Sequence, residues 1–181
     1  MPNYRRSLNE GSVFFFTVVT FKRRPFLIQP ESREALRKGI ETARKNGPFS
    51  IDAWVLLPDH LHCIWTLPEG DTDFPRRWNV IKATYSRIMK RQLHDTAKRT
   101  LSRHKRRELT IWQRRYWEHR IRDADDFQRH MDYIHFNPVK HGVVASVRDW
   151  PYSTFHRHVA EGMYGKNWGG CDITNDSGFG E

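Results

Sequence analysis

Two runs of strand-forming residues, Phe49 to Leu57 and His60 to Leu67, are separated by Pro58 and Asp59 alone. With so short a break, the two strands pair as an antiparallel hairpin. A third run, Val13-Phe-Phe-Phe-Thr-Val-Val-Thr-Phe21, is aromatic and β-branched. It reads as a buried strand, ended by Arg23, Arg24 and Pro25.

Helical periods fill the intervals. Glu31 to Lys45 places Leu36, Ile40 and Ala43 on one face, and Gly47-Pro48 turns the chain. Pro75 to Leu93 repeats Trp78, Ile81, Tyr85 and Ile88 at helical spacing. His94 to Leu109 is a polar, highly basic connection without useful periodicity, expected to be mobile in the absence of a ligand. Thr110 to Ile121 reads as a fourth strand, and Ala124 to about Phe136 as a helix with a buried stripe of Phe127, Met131 and Ile134. A last short helix runs from Asp149 to about Glu161. Glycines recur from Gly162, so 162–181 is expected to be a tail without regular structure. The order βαββαβα predicts an α+β fold over 1–161, a ferredoxin-like sandwich whose antiparallel sheet of about four to five strands is backed by helices.

The chain has 181 residues and a net charge of +10, within the roughly 100–200 residues of one domain. Its charge is concentrated: Arg76 to Arg120 holds fifteen Lys and Arg against Asp95, Glu108 and Glu118, and the remainder is close to neutral. Such a patch, interleaved with aromatics, suits a polyanion, nucleic acid ahead of a membrane surface. The longest apolar run, Val13 to Val19, falls far short of the roughly 20 residues a spanning helix needs. Cys63 and Cys171 form neither a disulfide framework nor a metal knuckle. No membrane role and a cytoplasmic location are expected.

Side chains alternate faces along a strand, so His60 and His62 point the same way while Leu61 points into the core. Two imidazoles on a rigid strand suit one metal ion, although the pair also fits two histidines with no joint task. On the helix from Ala124, Asp126, His130, Tyr133 and Asn137 share a stripe separate from the apolar one. A phenol and an amide four residues apart can address one point. The alternative is a helix ended by Asn137-Pro138, with Tyr133 a plain amphipathic surface residue.

His60-Leu61-His62 resembles the histidine–hydrophobic–histidine signature of HUH nucleases. With a single downstream helical tyrosine it is similar to the single-tyrosine transposases. Four longer blocks, Trp54 to Asp71, Trp112 to His119, Asp132 to Gly142 and Asp149 to Arg157, resemble the REP-associated tyrosine transposases in order and across most of the chain. The basic stretch from His94 to Leu109 is longer than the family pattern.

The resemblance implies that His60, His62 and Asn137 bind Mg2+ or Mn2+ and that Tyr133 is the nucleophile. It implies single-stranded DNA bearing a repetitive extragenic palindrome (REP) hairpin as substrate, a 5′-phosphotyrosyl adduct and a free 3′-hydroxyl as products. It further implies bacterial chromosomal service, at the nucleoid, and is compatible with a monomer or a dimer. Glu118, His119, His130 and Lys140 are candidates for supporting roles. Arg76, Arg77, Lys82, Arg87, Lys90, Arg91, Arg114 and Arg115 are candidates for DNA contact. Two rival readings remain: a hairpin-binding regulator that has lost cleavage, and a metal-dependent hydrolase that uses water.

Overall fold

The computed structural model describes residues 12–95 and 99–170. Strands β2 (Ser50–Leu56) and β3 (His60–Thr66) form the expected hairpin, closed by a 2.9 Å hydrogen bond from the Leu57 amide to the His60 carbonyl. Strand β1 (Val13–Val19) lies on the other side of β3, and β4 (Trp117–Arg120) lies on the far side of β1. The sheet order is therefore β2-β3-β1-β4, and every neighbour is antiparallel.

Both faces of this sheet are covered, which is why β1 reads as an unbroken apolar run. Phe14, Phe16, Val18, Leu61, Cys63 and Trp65 face helices α1 (Pro30–Asn46) and α2 (Phe74–Leu93). Trp65 stacks on Trp78 at 4.3 Å between ring centres. Gly39 lets α1 and α2 close together, since a Cβ there would stand 3.0 Å from the Ile81 carbonyl oxygen. Val13, Phe15, Ala53, Val55 and Ile64 face the opposite way, against Phe127, Met131 and Ile134 of helix α4 (Ala124–Lys140). A two-faced sheet under amphipathic helices is the α+β sandwich predicted.

The expected fourth strand over 110–121 is mostly not a strand. Trp112 bridges Thr20 and Trp117 pairs with Thr17. Between these pairs four residues, 113–116, thus lie opposite two, Val18 and Val19, and the excess is expelled as a loop that exposes Arg114 and Arg115. The preceding basic connection also departs from expectation. Residues 96–98 lie outside the described part, but α3 (Leu101–Lys105) forms in it, with the Thr100 hydroxyl accepting from the Arg103 amide. Arg103 is buried, donating to the carbonyls of Leu109 and Trp112 at 2.7 and 3.2 Å.

Helix α4 passes through Pro138 to Lys140, beyond the predicted end at Phe136. Proline lacks the amide for one rung and crowds the carbonyl one turn back, yet the helix continues past it. The helix is closed by the His141 amide on the Asn137 carbonyl, so Asn137 stays on the helical stripe. The last helix, α5, is confined to Phe155–Ala160. Residues 162–170 carry no helix or strand, yet Tyr164 is buried and its hydroxyl donates to Asp132 at 2.6 Å. The rest of the expected tail, with Cys171, lies outside the described residues. No described helix is long and apolar enough to cross a membrane.

Candidate active site

Strand alternation turns His60 and His62 toward α4, on the face that carries Ile64 and Phe15. Both are buried, with ring centres 5.0 Å apart. Their Nδ1 atoms are already engaged. His60 Nδ1 meets the Asp59 carboxylate at 2.6 Å, and His62 Nδ1 meets the Thr17 hydroxyl at 2.8 Å. Anchoring one ring nitrogen orients the other, as metal-binding histidines require. His62 Nε2 is buried and has no hydrogen-bond partner among the described residues. Burial, reinforced by the charges of His60, His141 and Lys140, holds His62 well below the ordinary histidine range, so its ring is neutral with a lone pair to give.

Helix α4 brings Tyr133 to this pair. Its ring centre is 5.1 Å from that of His62 and 6.0 Å from that of Phe15, and the Lys140 ammonium stands 5.0 Å from it. One turn further, Asn137 is fully buried, and both its amide atoms lack partners among the described residues. An unpaired buried polar group costs about 1–3 kcal/mol, so these three atoms, one on β3 and two on the stripe of α4 that carries Tyr133, call for an explanation. Two imidazoles and an amide oxygen are neutral donors for a divalent cation and leave coordination positions open. The donor set therefore fits a metal.

Of the supporting candidates, Lys140 sits over Tyr133, while His119 and His130 gather elsewhere. His119 Nε2 meets Asp126 Oδ2 at 2.8 Å and His130 Nδ1 meets the Asp126 backbone carbonyl at 2.8 Å. The three residues offer ligand atoms within 4.8 Å of one another. Arg122 and Arg129 also reach the Asp126 carboxylate, each at 3.4 Å. Burial alone would raise the Asp126 carboxyl, but bonds from His119 and the Arg122 amide outweigh it and hold the group far below the usual range. Its one carboxylate already faces two guanidinium groups, and the His119–Asp126 bond ties β4 to α4. Glu118 does not join either group. It pairs with Phe16 between Trp117 and His119, so alternation sends it to the opposite face of the sheet.

Among the DNA candidates, Arg76, Arg87, Lys90, Arg91, Arg114 and Arg115 are exposed. Lys82 is turned inward, donating to the Gln113 carbonyl at 3.2 Å between the Trp112 and Tyr116 rings, and burial brings its pKa down to about 8. Arg77 corrects the expectation outright. It is buried, paired with Asp71, and donates to the carbonyls of Gly47, Pro48 and Asp73 at 3.2, 3.1 and 3.0 Å. Sequence position alone could not separate a helix face packed on α1 from one in solvent. Replacing Arg77 by alanine strands these acceptors and should lower the melting temperature by roughly 6–12 °C while hairpin affinity stays within about twofold, read by calorimetry and by titration.

Three neighbours of the His60–His62 pair lie outside the candidates read from sequence. Asp59 has a signal there, since it directly precedes His60. Thr17 and His141, whose ring centre is 5.0 Å from that of His60, depend on register and on the extension of α4.

The family model described as transposase IS200 like matches residues 12–137. The REP-associated tyrosine transposase of Escherichia coli is 45% identical over 177 residues, covering 98% of this chain and 96% of that relative. The chain belongs to the REP-associated tyrosine transposases. A relative from Haemophilus influenzae is 41% identical over 170 residues, or 94% of each chain. A solved structure described as a REP-associated tyrosine transposase bound to a REP hairpin superposes with a TM-score of 0.75 at 44% identity, covering 98% of this chain and 96% of that one. As a member of this transposase family, the chain presents His60, His62 and Tyr133 on one side of its sheet and the basic helix α2 on the other.

Proposed function

We propose that this transposase is a metal-dependent endonuclease and strand transferase for single-stranded DNA next to REP hairpins. The observation that carries the reading is the Tyr133 ring 5.1 Å from His62, beside buried donor atoms of His62 and Asn137 that have no partner among the described residues. The relative bound to a REP hairpin supports the choice of DNA.

His60, His62 and Asn137 would hold the cation, magnesium or manganese, which when bound neutralises phosphate charge and helps align the attack. Tyr133 Oη then attacks phosphorus, the P–O bond to the 3′ oxygen breaks, and that oxygen leaves as a 3′-hydroxyl after taking up a proton. The 5′ side remains on Tyr133 as a phosphodiester, so a 3′-hydroxyl can reverse the step and join strands without ATP. An ordinary tyrosine is phenolate in only about one molecule in a thousand at pH 7, a deficit worth about 4 kcal/mol. Lys140, whose ammonium stands 5.0 Å from the ring centre, favours the anion as it forms. Acting on chromosomal DNA, the protein would work in the cytoplasm.

The test is a labelled hairpin oligonucleotide incubated with the protein and manganese, then resolved under denaturing conditions. A protein–DNA adduct is expected; binding without an adduct would point to the regulator. The exposed cations of α2 and of the 114–115 loop lie on or near the face opposite Tyr133, so DNA reaching both passes around the β4 edge. If about five phosphates are contacted, the logarithm of the binding constant should fall with that of salt at a slope of roughly −4. A titration series with no salt dependence would remove these residues from the interface.

A further inference from the structure

We propose that Trp117 is the platform on which one unpaired base of the DNA substrate stacks, beside the phosphate attacked by Tyr133. The inference rests on the nuclease reading and adds a substrate-positioning residue to it. Among the described residues four large apolar side chains are exposed, and Trp117, at 54%, is the one aromatic among them. It lies on the face of the sheet that bears the site. Trp117 pairs across β1 with Thr17, and Thr17 in turn holds His62 at 2.8 Å. The Phe15 ring joins the groups: its centre is 5.5 Å from Trp117, 5.6 Å from His62 and 6.0 Å from Tyr133.

The surroundings make Trp117 a prepared surface. Its ring is parallel to that of His119 within 4° at 5.8 Å, and His119 is parallel to His130 within 14° at 4.7 Å. Asp126 fixes this column by accepting from His119 and from the Arg122 amide, at 2.8 and 3.0 Å. A base added to the column meets a ring whose orientation is already set, so little ordering cost falls on binding. Stacking on an aromatic ring suits any base, while the exposed Arg115, two residues before it at the entry to β4, suits a phosphate. A second protein strand on the outer edge of β4 is the competing occupant. The parallel rings, with the exposed Arg115 at the same edge, favour a nucleotide over it.

The experiment uses the full chain and a hairpin oligonucleotide whose unpaired nucleotides near the cleavage point are replaced one at a time by 2-aminopurine. With chelator present the strand stays intact. One position should be quenched by the parent protein and by Trp117→Phe, and released in Trp117→Ala, with affinity for the hairpin weakened roughly five- to hundredfold in the alanine variant. No quenched position with the parent, or Trp117→Ala binding within about twofold with an unchanged pattern, overturns the proposal. So does a concentration-dependent dimer that is lost in Trp117→Ala while no base responds. The parent scan decides even if the alanine variant folds poorly. Manganese then separates the two readings: an adduct without a quenched base sinks the platform alone, whereas a quenched base without an adduct sinks the nuclease and leaves Trp117 as a DNA-binding surface.

Discussion

Replacing Tyr133 by phenylalanine should abolish the covalent protein–DNA adduct while hairpin affinity stays within about twofold of the parent. The variant removes a single oxygen. Its ring keeps the contacts with His62 and Phe15 and the Lys140 ammonium, so packing is unchanged. Loss of a nucleophile costs more than loss of any supporting group, and cleavage should drop at least roughly a thousandfold. A labelled oligonucleotide with manganese on a denaturing gel reads adduct and free product together. The hydrolase reading expects product to persist without the phenol, because water would be the nucleophile. Substantial cleavage by the phenylalanine variant would therefore replace the covalent mechanism by that one.

His62→Ala and Asn137→Ala should each lose the stabilisation that manganese gives the parent. At about a hundred times its dissociation constant a ligand stabilises the folded state by about 2.7 kcal/mol. For a chain of this size that is a rise in melting temperature of roughly 5–10 °C. The ligand variants should show almost none of it, and adduct formation should fall by roughly a hundredfold or more. Scanning calorimetry with and without manganese makes the measurement independent of turnover. Asp126→Asn is the control that distinguishes the two histidine clusters. Arg122 and Arg129 already neutralise Asp126, so this variant should keep the manganese shift. If the shift disappears with Asp126 and survives in His62→Ala, the metal site belongs to the His119–Asp126–His130 cluster.

Much of the site was legible before any coordinates. The paired histidines followed from the two-residue period of a strand, and the stripe of Asp126, His130, Tyr133 and Asn137 from the helical period. The hairpin followed from a two-residue gap. Structure departs from local sequence pattern where distant segments compete for the same place. Thr110 to Ile121 has the composition of one strand, but its two ends pair with β1 in incompatible registers, and Arg114-Arg115 is expelled. The Asn137-Pro138 step looked like a helix end, yet packing of α4 on the sheet carries the helix past it.

The amino-acid sequence by itself determined which side chains share a face, because covalent geometry sets that within a few residues. Only the tertiary structure decided which faces meet. Thr17 reaches His62 across 45 positions of chain, Arg77 turns into the junction of α1 and α2, and Glu118 is placed on the far side of the sheet from Tyr133. Such pairings depend on how whole elements pack, and no local period encodes them.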